Sequence, residues 1–211
     1  EDLIEEEQCV YTLTQAGYIK RTPASEYRLQ GKGGKGNKSM STKEEDSVNT
    51  VFTASTHDHI LFFTNMGRAY RRKGYQIPAS GKTAKGTNIV NILPVEPGEA
   101  ISAMISTGDI SAGERFLVMV TRSGTVKRLP CASLRNLRSN GIRVLTLEEG
   151  DELISVRETD GGMKLLIATR DGAAICFHET EVRPTGRGSM GVRGIRLRPG
   201  DYVVGAARAL P

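Results

Sequence analysis

Tryptophan is absent from this 211-residue chain, and aromatic residues make up only 5% of it. Recognition of unpaired bases depends on stacking against aromatic faces. Tyr11, Phe62, Phe63, Phe116 and Phe177 all sit inside apolar runs, where they are expected in the core. Single-strand or RNA binding by stacking is therefore disfavoured. Cysteine is scarce as well: Cys9, Cys131 and Cys176 stand alone, without Cys-x-x-Cys spacing. An odd, unpaired set argues against a disulfide framework and a zinc knuckle, and suits a reducing cytoplasm. No apolar run approaches the ~20 residues of a membrane-spanning helix, so no membrane partner is expected. The first residues, Glu1-Asp2-Leu3-Ile4-Glu5-Glu6-Glu7, are acidic where a secretion signal would be basic and then apolar. No Met begins the chain, and it is expected to be a piece of a longer protein. No amphipathic helix longer than two turns is evident; Leu134–Leu137 predicts a single turn.

The residues of catalysis are missing too. No nucleophile stands beside a base in any convincing pattern. His57-Asp58-His59 puts two imidazoles on one strand face, but no third ligand follows at suitable spacing and His178 is distant. Gly186-x-Gly188-x-x-Gly191 satisfies the dinucleotide fingerprint, yet no helix or βαβ pattern follows it. Neither a metal nor an organic cofactor is expected, and the chain is expected to have no active site of its own.

What the chain has is a fourfold repeat. An apolar run leads into Thr-x-x-Gly and then a second strand at Thr14–Gly17, Thr64–Gly67, Thr121–Gly124 and Thr169–Gly172. A second glycine follows in each copy (Gly36, Gly86, Gly141 and Gly191), at offsets of 19, 19, 17 and 19 residues. Periods near 50 residues signal tandem arrays of small sheets. Each copy reads as a hairpin with a glycine-bearing turn and a loop of about a dozen residues. A third strand is expected at Ile89–Leu93, Val144–Leu147 and Gly194–Leu197. The fourth is expected at Val48–Ala54, Ala100–Ser106, Glu152–Val156 and Tyr202–Ala207. The expected fold is all-β: a propeller-like array of four-stranded antiparallel blades, four of them, over approximately 8–55, 56–107, 108–158 and 159–211. All four are expected to belong to a single domain, 1–211.

Charge is unevenly placed. Residues 1–7 carry five acids and no base, so the other 204 residues hold 29 bases against 19 acids. That balance favours a polyanionic partner. The bases recur in the glycine-rich loops. The first is Gln30-Gly31-Lys32-Gly33-Gly34-Lys35-Gly36; the later ones carry Lys82 and Lys85, then Arg135, Arg138 and Arg143, then Arg187 and Arg193. Glycines let the backbone approach another surface closely, and loop N–H groups can point at phosphate oxygens. A periodic fold would set these cations along one side.

The first loop and the repeats resemble the C-terminal domain of the DNA gyrase A subunit. That family carries a seven-residue box, Gln-Arg-Arg-Gly-Gly-Lys-Gly. Gln30, Gly33, Gly34, Lys35 and Gly36 match it, Lys32 keeps a charge, and Gly31 replaces an Arg. Glu44-Glu45-Asp46, Thr56–Leu61 and Gly191–Leu197 are also similar to the family, and the likeness covers essentially the whole chain. The resemblance implies a β-pinwheel whose blades exchange strands, normally six, so the missing repeats are expected beyond Pro211. It implies a module that wraps duplex DNA around a basic rim in support of negative supercoiling. The DNA-cleaving Tyr and the ATP site would lie elsewhere in the parent, so Tyr18 and Tyr27 have no such role. Implied partners are double-stranded DNA, the rest of the topoisomerase A subunit, plus its ATPase subunit, in a cytoplasmic, nucleoid-associated setting. Topoisomerase IV has a related domain with a degenerate box and stands as the close alternative. A propeller for protein docking is the other, but its surface would be aromatic and poor in Lys.

Wrapping requires cations spaced along a curved surface and no base reading. The expected set is Lys20, Arg21, Lys32, Lys35, Arg71, Arg72, Lys82, Lys85, Lys127, Arg128, Arg138, Arg143, Arg187 and Arg193, with Gln30, Gly33, Gly34 and Gly36 completing the box.

Overall fold

The structure is a computed structural model that describes residues 3–27, 46–107, 113–137 and 140–210. Among these residues it is all-β apart from short 3-10 turns. The first repeat supplies β1 (Gln8–Thr14), β2 (Tyr18–Pro23) and β3 (Val48–Ser55). The second supplies β4 (His59–Thr64), β5 (Arg68–Lys73), β6 (Thr87–Asn88) and β7 (Ile101–Thr107). The third supplies β8 (Phe116–Thr121), β9 (Thr125–Pro130), β10 (Ile142–Arg143) and β11 (Leu153–Thr159). The fourth supplies β12 (Lys164–Thr169), β13 (Ala174–His178), β14 (Val192–Arg193) and β15 (Val203–Ala209).

The Thr-x-x-Gly turn follows from local chemistry. Its glycines are all left-handed, at φ 89° for Gly17, 80° for Gly67, 94° for Gly124 and 91° for Gly172. A three-residue hairpin loop needs such a residue at its last position. The Thr side chain closes the turn from the other side: its Oγ1 accepts the N–H after the glycine, at 3.1 Å for Thr14 and Tyr18 and 3.0 Å for Thr169 and Ala173. A carboxylate ahead of the returning strand then takes the N–H at the turn's tip. Asp46 accepts from Ala16, Asp151 from Ser123 and Asp201 from Asp171, each at 3.0 Å. Each such bond is worth about 0.5–1.5 kcal/mol and ties the turn to a strand some thirty residues away.

The third strands differ from the sequence expectation. They are two residues long, begin directly after the second glycine, and pair with the preceding repeat. The sheets run β3-β1-β2-β6, β10-β5-β4-β7 and β11-β8-β9-β14, while the fourth is β13-β12-β15. Thr87 and Asn88 thus lie opposite Ile19 and Tyr18, and Val192 and Arg193 opposite Val126 and Thr125. The second glycine permits this. A Cβ on Gly86 would stand 2.5 Å from the Ile19 carbonyl oxygen, and one on Gly191 would stand 2.6 Å from that of Val126. The apolar residues expected to form the strand come after it and serve as plugs. Ile89–Asn91 is a 3-10 turn with Ile89 buried, and Val144, Leu145 and Ile195 are buried likewise. A 3-10 turn spans Cys131–Leu134, and the turn expected at Leu134–Leu137 follows it, closed by the Leu137 N–H on the Leu134 carbonyl at 3.1 Å.

The chain divides into two compact units: Glu1–Leu61 with Arg71–Pro97 and Met104–Gly108, and Phe62–Tyr70 with Gly98–Ala103 and Asp109–Pro211. In the first, Tyr11 is buried, stacks on Phe52 and donates its hydroxyl to the Ser55 carbonyl. His57 there hydrogen-bonds the Ile4 carbonyl at 2.8 Å, and Asp58 accepts from the Ser55 N–H. In the second, Val118, Val120 and Val126 interlock with Leu165, Ile167, Val182, Ile195 and Val203. Each such side chain contributes about 1.5–3 kcal/mol on burial. The corresponding outer face of the fourth sheet is open, with Leu166, Ile175 and Val204 exposed.

Candidate nucleic-acid interface

The second strands of the first three hairpins carry the cation pairs expected at the surface. Lys20 and Lys127 follow their turn glycines by three residues, and each is only 1% exposed. Lys127 Nζ donates to the carbonyls of Val144 (2.7 Å), Arg187 (2.9 Å) and Ser189 (3.0 Å). Lys20 Nζ donates in the same way to Gly81 (3.1 Å), Lys82 and Ala84 (3.2 Å). An ammonium has three donors, so neither side chain has one left for a phosphate. Burial pulls the Lys127 ammonium down to about 8 and lowers Lys20 as well, with Glu26 opposing the shift at Lys20.

Arg128, next along β9, is 6% exposed and enclosed. Its Nε donates to Glu179 Oε1 at 3.1 Å, a second guanidinium nitrogen donates to the Val182 carbonyl, and the group lies 3.9 Å over the Phe116 ring. Glu179 is fully buried and also accepts from Thr159 Oγ1 and the Met163 N–H, both at 2.7 Å. Arg21 is half-buried, with its Nε on the Ile77 carbonyl at 2.9 Å and Glu7 at 3.9 Å. Arg71 and Arg72 are half-buried, and Arg72 donates to the Ile92 and Arg71 carbonyls. These strand cations, expected along an outer rim, are held instead by the fold around them.

The loop cations are the accessible ones. Lys85 is exposed, with its Nζ 4.0 Å from the Tyr18 ring centre; hydrogen bonding from Lys85 lowers the Tyr18 hydroxyl below its ordinary value. Lys82 is half-buried, 5.4 Å from the Tyr27 ring. Arg143, Arg187 and Arg193 are exposed. Gln30, Lys32, Gly33, Gly34, Lys35, Gly36 and Arg138 lie outside the described residues.

Several exposed arginines fall outside the set expected from the sequence. Arg183, Arg196 and Arg198 join Arg187 and Arg193, so five exposed arginines fall between Glu181 and Asp201 with no acid among them. That acid-free interval is the signal in the sequence that marks them; glycine spacing does not. Arg122 lies 3.7 Å over the Tyr202 ring, with Arg170 5.8 Å from the same ring. Beside Arg193 opens a cleft of about 390 Å³, lined by Thr125, Thr146, Glu148 and Asp151 among others. Its two carboxylates outnumber the single Arg193 guanidinium that lines it, so the cleft itself does not favour an anion.

The profile of one protein family, described as DNA gyrase C-terminal domain, beta-propeller, matches at residues 10–55, 58–107, 115–160 and 164–209. The chain belongs to the DNA gyrase A C-terminal domain family. Each matched segment of this gyrase-family chain runs from near the first strand of a repeat to its returning strand. The DNA gyrase A subunit of Clostridium acetobutylicum is 50% identical over 194 residues, which are 92% of this chain and 23% of that protein. The DNA gyrase A subunit of Staphylococcus aureus is 47% identical over 205 residues, 97% of this chain and 23% of that protein. The chain thus spans about a quarter of the length of these relatives. Among solved structures, the C-terminal domain of DNA topoisomerase IV superposes with a TM-score of 0.84 at 28% identity, covering 99% of this chain and 63% of that one. The DNA gyrase A C-terminal domain superposes at 0.72 and 28% identity, covering 96% of this chain and 65% of that one.

Proposed function

We propose that this chain is a non-catalytic module that grips duplex DNA by its phosphates and bends it. It would do so as the C-terminal part of a gyrase A subunit working with an ATPase subunit in the bacterial nucleoid. One observation carries the reading: the exposed arginines Arg183, Arg187, Arg193, Arg196 and Arg198 crowd one acid-free segment, in a chain of the gyrase family. The proposed contacts are these, with Lys82, Lys85 and Arg143, and with Lys32, Lys35 and Arg138 from the remaining loops. Lys20 and Lys127 are assigned to scaffolding because their donors are already occupied, and Arg128 because it is buried and paired with Glu179. Arginine suits such a grip because its planar fork binds phosphate oxygens in pairs. Each phosphate engaged releases counterions, and several contacts together offset the roughly 1–6 kcal/mol needed to bend 20–30 bp through 40–90°.

The test is topological. The protein is bound to nicked plasmid, the nick is ligated, and the linking number is read after deproteinisation. A shift that grows with protein supports wrapping. An unchanged distribution, with the plasmid bound, refutes it and favours DNA capture of the topoisomerase IV kind, for which the 0.84 superposition speaks. Affinity should fall steeply with salt, and Arg187→Ala should reduce the slope of log affinity against log salt by about 0.9. A slope unaltered by removing each of the five arginines in turn would remove them from the interface.

A further inference from the structure

Two of the basic loops are built on the same internal device. Lys20 stands three residues after Gly17, and Lys127 three after Gly124. Each ammonium gathers the carbonyls of a loop from the following repeat. Counted back from the second glycine of that repeat, the acceptors recur at the same places: Lys82 and Ala84 ahead of Gly86, Arg187 and Ser189 ahead of Gly191. The loop that ends at Gly141 lacks the device. Tyr70 takes the lysine's place, and its ring lies where a Cβ on Gly141 would be.

Turning these carbonyls inward has a consequence on the outside. A trans peptide holds its C=O and N–H antiparallel, and no described peptide is cis. With the Lys82 and Ala84 carbonyls on the buried ammonium, the N–H groups of Thr83 and Lys85 face away from it. With those of Arg187 and Ser189 on Lys127, the N–H groups of Gly188 and Met190 do the same. All four residues are exposed, and their N–H groups have no hydrogen-bond partner among the described residues. Outward N–H groups close together in a loop, beside a cation, form an anion site.

We propose that each loop is a backbone cradle for one DNA phosphodiester. The N–H groups of Thr83 and Lys85 would hold one phosphate, with the Lys85 side chain supplying charge. Those of Gly188 and Met190 would hold another, with Arg187. Lys20 and Lys127 touch no DNA; they are positioning residues that set the direction of the loop peptides. This rests on the DNA-binding reading above, and it names the donors.

The experiment follows the backbone amide signals of the intact chain by 15N–1H NMR during titration with a 20-bp duplex, and separately with inorganic phosphate. The amide protons of Thr83, Lys85, Gly188 and Met190 are expected to move downfield with duplex and to respond far less to inorganic phosphate at equal phosphate concentration. Lys127→Met should erase the response at Gly188 and Met190 while Thr83 and Lys85 still respond, so the first cradle serves as an internal control for folding. Lys20→Met should do the converse. Should either variant not fold, the wild-type titration decides alone. Bound duplex with all four amides unmoved overturns the cradles and leaves the DNA-binding reading intact. A response at Gly188 and Met190 that survives Lys127→Met overturns the positioning role. Equal response to inorganic phosphate overturns the assignment to DNA, and absence of any duplex binding overturns the underlying reading as well.

Discussion

Replacing Glu179 with Ala tests whether the cations of β9 belong to the scaffold. The carboxylate sits at zero exposure and receives Arg128 Nε at 3.1 Å, Thr159 Oγ1 at 2.7 Å and the Met163 N–H at 2.7 Å. Without it, a guanidinium only 6% exposed keeps its Val182 carbonyl and the Phe116 ring but loses its counter-charge, and two further donors lose their acceptor. Breaking one side of a buried ion pair costs about 3–5 kcal/mol. For a chain of this size each kcal/mol lowers the melting temperature by about 2–4 °C, so a fall of roughly 6–20 °C is expected. Thermal unfolding followed by circular dichroism at neutral pH reads it. The double variant Arg128→Met with Glu179→Gln should recover much of the loss, because no buried charge is left unpaired and the amide oxygen can still accept from a neighbouring donor. That variant should also keep the wild-type salt dependence of DNA binding. A melting temperature within about 2 °C of wild type after Glu179→Ala, the behaviour of an exposed pair, would refute the argument. So would a salt slope flattened by about 0.9 in the double variant, which would make Arg128 a phosphate contact.

The Lys127 ammonium, held near 8 against 10.5 for the free side chain, gives a pH signature of definite sign. Between those values the unfolded chain holds the proton and the folded chain does not, so stability rises with pH, and that gain is lost as pH falls through 8. Wild type should gain on Lys127→Met between pH 7 and 10, by at most about 1.4 kcal/mol per pH unit; denaturant melts showing a constant difference would contradict this. The turn glycines separate conformational strain from close approach. Gly172 has φ 91° with nothing within 4 Å of a Cβ, whereas Gly191 has φ 90° and the Val126 oxygen at 2.6 Å. Gly172→Ala should cost about 1–2 kcal/mol and Gly191→Ala distinctly more, with loss of hydrogen-exchange protection across β9 and β14. Equal costs would mean that the exchanged strand is not held by that contact.

Much of the fold could be read directly from the chain because its instructions are local. Thr14, Thr64, Thr121 and Thr169 bond an N–H four residues on, and the glycine between must be left-handed; both requirements lie within one turn. The third strands lie just ahead of the apolar runs that would ordinarily mark a strand. The pairing residues, Thr87-Asn88 and Ile142-Arg143, are short and largely polar, since they need only backbone groups and lie on a sheet edge. The apolar residues after them point into the core. The candidate site was legible in part: Lys85, Arg143, Arg187 and Arg193 are exposed as expected. Lys20, Lys127 and Arg128 are not, and no local property of β2 or β9 shows this. A lysine next to an arginine in a strand reads as surface until a loop some sixty residues away closes over it.

By itself the sequence determined four hairpins with glycine turns, their all-β class, and a surplus of positive charge gathered in glycine-bearing loops. Turn geometry, side-chain alternation and net charge are properties of neighbouring residues, so they survive without a third dimension. Only the tertiary structure decided which repeat receives each short strand, which apolar residues become plugs, and which cations are spent on carbonyls instead of left to face solvent. Those outcomes depend on segments that meet across long stretches of chain, where burial turns a lysine from a surface charge into an internal hydrogen-bond donor.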